Sequence, residues 1–117
     1  MGTHRNLLAW QEAMKLVGEI YRETAAYPKE ERYGLVAQTR RAAVSVTANI
    51  AEGAGRNSRR ELAHFLGLAS GSLAEIETEI ELGIMLGYLP QTPDLMRQVH
   101  RVGRLLTALR NSIKADA

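Results

Sequence analysis

Apolar residues recur along the chain at spacings of three and four, in four blocks separated by proline, glycine or polar residues, and no stretch shows the alternation of a strand. In the first block Leu7, Trp10, Met14, Val17, Tyr21 and Thr24 form the seam of a bundle helix, predicted over residues 5–26. Pro28 ends it, because proline holds the preceding residue away from helical geometry, and PKEER is a polar connection. A second helix is expected over 33–53, with Leu35 or Val36, Thr39, Ala43, Val46 and Ile50 inward. Ala42, Ser45, Ala48 and Ala51 leave its flank narrow enough for another helix to come close. Gly53 and Gly55 read as positive-φ residues that cap it and turn the chain.

Ser58, with Glu61 three residues later, is a capping box and opens a third helix over 58–86. Its inner face is Leu62, Phe65, Ala69, Leu73, Ile76, Ile80 and Ile84, and Gly87 closes it. Gly67 and Gly71 weaken this helix, so close packing by the second helix is expected to compensate. Thr92, Pro93 and Asp94 read as a cap, a first-turn proline and an acid at the positive helix end. The fourth helix, over 93–114, carries the seam Leu95, Val99, Val102, Leu106, Leu109 and Ile113. The expected fold is all-α: one domain over 1–117, an antiparallel up-down-up-down four-helix bundle.

Composition narrows the classes. A chain of 117 residues holds one core, and its 45% hydrophobic and 24% charged content is that of an ordinary globular protein. The absence of cysteine excludes disulfides, thiolate metal sites and a cysteine nucleophile, and fits a reducing compartment. No apolar run approaches the roughly 20 residues of a membrane span, and the start has no signal-peptide pattern, so a cytoplasmic protein is expected.

Net charge is only +2, and its distribution carries more than its sum. Arg40, Arg41, Arg56, Arg59 and Arg60 lie close together in sequence against Glu52 and Glu61, and Arg97, Arg101 and Arg104 recur on the fourth helix beside His100. Arginine suits phosphate because its planar fork donates parallel hydrogen bonds and keeps its charge. These eight are the candidate nucleic-acid contacts; a solvated surface, or partners for acids of the bundle, is the plainer reading. Aromatic residues are 5% of the chain, too few to argue for base stacking. Glu75, Glu77, Glu79 and Glu81 crowd the C-terminal half of the third helix, where the dipole disfavours them. Arg97 or Arg101, or a basic face of a neighbouring subunit, would relieve them, which makes the four glutamates candidate oligomer contacts.

Catalytic signals are weak. Glu61 and His64 supply half of a di-iron Glu-x-x-His pattern, but no Glu stands three residues before His100, so no metal, cofactor or catalytic residue is assigned. The Gly53–Arg56 turn could cradle one anion on its N–H groups. It lacks P-loop spacing, and a structural turn is the simpler reading, as it is for Asn49 and Glu52.

The NIAEG segment followed by GR, the RRAAVS run and the GSLAE segment resemble the family of 23S ribosomal RNA intervening-sequence proteins, and the likeness covers nearly the whole chain. Thr47 and Ala48 stand where many relatives carry Pro and Ser, which implies a more regular second helix, and Ser70 stands where a basic residue is common. The resemblance implies a homopentamer of bundles around a channel. It also brings in the accessory proteins of diversity-generating retroelements, which work with a reverse transcriptase and nucleic acid. The expected function is that of a non-enzymatic oligomeric scaffold binding RNA or a ribonucleoprotein through arginine patches, without reading bases. The alternative is an adaptor that docks a partner enzyme such as a reverse transcriptase, its charges serving ring assembly.

Overall fold

A computed structural model describes residues 3–91 and 93–115. Four helices, α1 (Leu8–Thr24), α2 (Leu35–Ala54), α3 (Arg59–Met85) and α4 (Asp94–Ala115), make a four-helix bundle of 46 × 24 × 19 Å. Short 3-10 turns at His4–Asn6 and Lys29–Glu31 precede α1 and α2, and there is no strand among the described residues. Each helix packs on the next and α1 also packs on α4, closing the four around one core. Leu16 and Ile20, Val46 and Ile50, Leu66, Ile76 and Ile80, and Val102 and Leu106 are its fully buried members. The inward face expected for α2 is the observed one; that of α4 is observed with Leu109 and Ile113 only partly buried, and that of α3 with Leu66 added, Leu62 and Ile84 partly buried, and Phe65 half-buried outside the core.

The helix ends follow local chemistry. Ser58 Oγ accepts the Glu61 amide at 3.0 Å, fixing the start of α3. At the other end the Tyr88 amide reaches back to Gly83 O at 2.8 Å and the Gly87 amide to Ile84 O at 3.1 Å, the paired bonds of a Schellman cap. Gly87, at φ 83°, is the one described residue with a positive φ, and such a cap requires it. Helix α2 runs unbroken through Thr47, whose hydroxyl donates to Val44 O at 2.7 Å. The Thr92 cap expected for α4 lies outside the described residues.

Three expectations are corrected. The inner face of α1 is Ala9, Ala13, Leu16, Ile20 and Thr24, with Glu12 beside it, while Met14 and Tyr21 are 46% and 43% exposed. Two stripes of α1 share helical spacing, and the one with alanines lets α1 sit closer to its neighbours; Leu7, Trp10 and Val17 cover the flank. Gly53 and Gly55 do not cap by positive φ: Gly55 lies at φ −83°, and Gly53 is buried within α2. A Cβ on Gly53 would stand 2.9 Å from Phe65 Cβ and 3.1 Å from Leu62 Cδ1, so this glycine is there for close helix approach. Gly67 and Gly71 do not meet α2: a Cβ on either finds nothing within 4 Å. The close α2–α3 contact is made instead by Gly53 and by Ser45 and Ser72, whose hydroxyls are 2.9 Å apart.

Gly53→Ala is therefore expected to destabilise the fold by about 1–3 kcal/mol through overpacking. Gly18→Ala, where the nearest atom is the flexible Arg22 Nη1 at 3.5 Å, should gain up to about 1 kcal/mol in helix propensity. Urea unfolding of the two variants checks the contrast, and equal effects would contradict it.

Candidate nucleic-acid interface

The eight arginines divide by what the bundle does with them. Arg40 is drawn into the structure: its Nε donates to Thr24 Oγ1 at 3.0 Å, its Nη2 to Tyr21 O at 3.1 Å, and its guanidinium lies 4.4 Å over the Tyr21 ring. It ties α2 to the end of α1, closing a carbonyl that the helix leaves open. Arg101 reaches across from α4 to Glu12 Oε1 at 2.9 Å, and Arg97 pairs with Asp94 at 3.0 Å. Arg56 pairs with Glu52 at 2.7 Å and stands over the Phe65 ring at 5.1 Å.

Arg41, Arg59, Arg60 and Arg104 are exposed. Arg60 and Arg104 have no hydrogen bond or ion pair among the described residues. The sequence cluster is thus two places. Arg56, Arg59 and Arg60 share the α2–α3 turn and the first turn of α3, whereas Arg40 and Arg41 stand near the other end of α2. The Gly53–Arg56 turn is structural, as expected: the Gly55 amide donates to the Ala51 and Glu52 carbonyls and the Arg56 amide to that of Gly53, which leaves neither amide for an anion.

The four glutamates of α3 also divide. Glu75 and Glu79 face α2 across a cleft of about 410 Å³ shared with Gln38, Arg41, Ser45 and Ser72. Glu77 faces α4, where His100 Nε2 is 3.2 Å from its Oε2, and Glu81 borders the same side. Neither Arg97 nor Arg101 pairs with them, as both are engaged elsewhere. Glu79 is only 8% exposed, and its Oε1 has no hydrogen-bond partner among the described residues. Burial pushes its carboxyl pKa up, the Glu75 charge adds to the rise, and Arg41 opposes it.

Sequence spacing missed Glu12, the best-engaged acid in the bundle. Lys15 Nζ at 2.9 Å, Gln98 Nε2 at 3.1 Å and Arg101 Nε at 2.9 Å converge on its carboxylate. These bonds hold its pKa down to about 2, against the burial that would raise it. The signal was a glutamate at an otherwise apolar spacing, between Ala9 and Leu16. Asn49 is structural as expected, its Nδ2 donating to Ser45 O at 2.9 Å. His64 is exposed, edge-on to Phe65, and among the described residues no three His, Asp or Glu side chains gather as a metal site.

What these elements define is a small four-helix-bundle protein with an arginine-bearing turn at one end and a buried ionic clasp between its first and last helices. Residues 5–108 match the sequence profile of the family described as 23S rRNA-intervening sequence protein, and the chain belongs to that family. No curated protein matches the chain. None of the described helices is long and apolar enough to cross a membrane.

Glu12 and Glu79 should pull stability in opposite directions with pH. The Glu12 carboxyl, with its folded pKa below the ordinary 4.5, contributes fully above about pH 4.5, and that contribution is lost as pH falls toward 2. Glu79, with its folded pKa raised, costs nothing at low pH and destabilises increasingly as pH rises past the unfolded value. Glu12→Gln should remove the acid-side loss and lower neutral stability by about 1–3 kcal/mol. Glu79→Gln should raise the neutral unfolding midpoint. Unfolding curves from pH 2 to 8 decide both; a Glu79→Gln profile parallel to wild type contradicts the second.

Proposed function

We propose that the protein is a non-enzymatic, oligomeric scaffold that holds RNA or a ribonucleoprotein through arginine–phosphate contacts without reading bases. The observation that carries this reading is the exposure of Arg56, Arg59 and Arg60 together on the turn into α3. Three guanidinium groups stand there beside a helix N-terminus, whose dipole also favours phosphate. The family's description names an RNA, in keeping with that chemistry. The antiparallel up-down-up-down bundle belongs to this reading. It is supported by contacts in which residues late in one helix meet residues early in the next: Thr24 with Arg40, Gly53 with Phe65, Glu77 with His100.

The scaffold is a ring-like homo-oligomer, five-fold by resemblance to the family, working in the cytoplasm. The outer face of α3 supports assembly: Gly67 and Gly71 meet nothing within 4 Å, and Leu68 and Leu82 on that helix are exposed. A ring multiplies modest patches into avidity, since each further contact is made at high effective concentration. In this reading Glu75, Glu77, Glu79 and Glu81 contact basic side chains of a neighbouring subunit, a role that exposure supports for Glu75 and Glu81.

A second reading, an adaptor for a partner enzyme such as a reverse transcriptase, is favoured by one observation. Met85 is 72% exposed and adjoins the exposed Leu86, giving the end of α3 an apolar tip. In that reading the arginines serve the ring.

Nucleic-acid-free protein titrated with structured RNA should bind with an affinity that falls steeply as salt rises. Replacing Arg56, Arg59 and Arg60 by Glu should weaken every RNA alike and leave the assembled mass unchanged by sedimentation. Loss of assembly before any loss of RNA affinity would favour the adaptor, and unchanged affinity would remove this patch from the interface.

A further inference from the structure

Two of the four tyrosines are spent on the fold. Tyr27 is buried against Gly83, where an added Cβ would run into its hydroxyl, and its ring centroid lies 5.0 Å from that of Tyr88. The other two, Tyr21 and Tyr33, stand on one groove of about 670 Å³ between α1 and α2. Tyr33 is 87% exposed, the most exposed large apolar side chain among the described residues, and no packing requirement holds an aromatic ring there.

The charges around the groove are of one sign. Arg32, Arg40 and Arg41 line it together with the two rings, and among the described residues no acidic side chain does, Arg41 also bordering the neighbouring cleft of Glu75 and Glu79. The acid nearest in sequence, Glu31, is turned to other work: its Oε1 accepts the Leu35 amide at 3.3 Å at the start of α2, and its Oε2 accepts the Tyr88 hydroxyl at 3.0 Å. Arg32 places its guanidinium carbon 5.7 Å from the Tyr33 ring centre. Arg40 is fixed in advance by Thr24 and Tyr21, so little side-chain freedom remains to be lost when a ligand arrives. Val36 and Val44 give the groove an apolar floor.

An exposed π face, a second ring already covered by a guanidinium, and cations without a lining acid are what an unpaired nucleotide recognises. Its base stacks and its phosphate meets arginine, with no demand on base identity. A duplex buries its base faces and can use only the cations.

We infer that the α1–α2 groove is a single-strand subsite, in which an unpaired base stacks on Tyr33 and the adjoining phosphates are held by Arg32, Arg40 and Arg41. This rests on the RNA-scaffold reading and adds to it a preference for unpaired segments that phosphate contacts alone do not give. It also separates two tasks along the bundle: Arg56, Arg59 and Arg60 hold any phosphate backbone, and the groove near the opposite end of α2 selects flexible, unstacked RNA.

The test is fluorescence anisotropy of the full chain, at low salt, with a labelled ten-nucleotide uridine strand, an abasic strand of equal length and a duplex of equal length. Tyr33→Leu keeps bulk and apolarity at a position that is almost wholly exposed, and Tyr33→Phe keeps the π face. The uridine strand should bind wild type more tightly than the abasic strand. Tyr33→Leu should weaken the uridine strand about tenfold, the loss of one stacked base, and leave duplex and abasic binding unchanged; Tyr33→Phe should keep wild-type affinity. Equal affinity of Tyr33→Leu and wild type for the uridine strand overturns the subsite while leaving the phosphate scaffold standing. A change in sedimentation with Tyr33→Leu, without a change in RNA affinity, overturns it in favour of a protein contact. Failure of all three probes to bind wild type overturns the scaffold reading and the subsite together.

Discussion

The close approach of α2 and α3 is the constraint on which the bundle depends. It is set by what is missing at Gly53, where Phe65 and Leu62 occupy the space a side chain would take, and by the hydroxyl pair of Ser45 and Ser72 further along. Helices that pack this closely become each other's template, because side chains on one fix the rotamers available on the other. With that pair rigid, the turn between them is held, and Arg56, Arg59 and Arg60 are displayed from a fixed platform rather than a loose loop. Between the same two helices lies the polar cleft lined by Ser72, where Glu79 is buried with no hydrogen-bond partner for its Oε1 among the described residues.

Charge in this chain is mostly consumed by folding. Arg40, Arg56, Arg97 and Arg101 each have an intramolecular task, on Thr24 and Tyr21, Glu52, Asp94 and Glu12 in turn, and Glu31 is taken by the Leu35 amide and the Tyr88 hydroxyl. What is left for other molecules is a smaller and differently arranged set than the sequence suggests. The distinction is physical: an arginine such as Arg40, which stacks on a ring and donates through Nε and Nη2, is held in place by protein contacts and offers a phosphate only its remaining N–H groups. An exposed arginine without them exchanges only water and counterions.

Helix number, helix limits and the inner faces of α2 and α4 were legible in the sequence, because large apolar residues at helical spacing and the Ser58 cap have one economical arrangement. The face of α1 was not. Its alanines carry no hydrophobic weight in a pattern, yet they decide how near a helix can lie, and Trp10 and Val17 drew the seam toward the flank. Glycines misled in both directions: Gly53 proved to be a packing residue, Gly67 and Gly71 proved to face open space, and among the described residues only Gly87 had the conformation that glycine permits. The charge pairs were illegible for another reason. Glu12 and Arg101 are 89 residues apart, and no local rule joins them. Low aromatic content argued against stacking, and only the fold could show that two of the few aromatics share a groove.

That separation of Glu12 and Arg101 has a kinetic side. Every other pairing of the four α-helices joins neighbours in the chain, at little cost in loop entropy, whereas the α1–α4 seam must wait for nearly the whole chain to be in place. From its sequence separation the ionic clasp is expected to form late in folding, so that weakening it should speed opening more than it slows closure. Amide exchange would register this as a seam between first and last helices that opens ahead of the α2–α3 pair. A bundle made in this way has a hinge line built into its topology, along which α1 can part from α4 while the arginine-bearing turn stays in place.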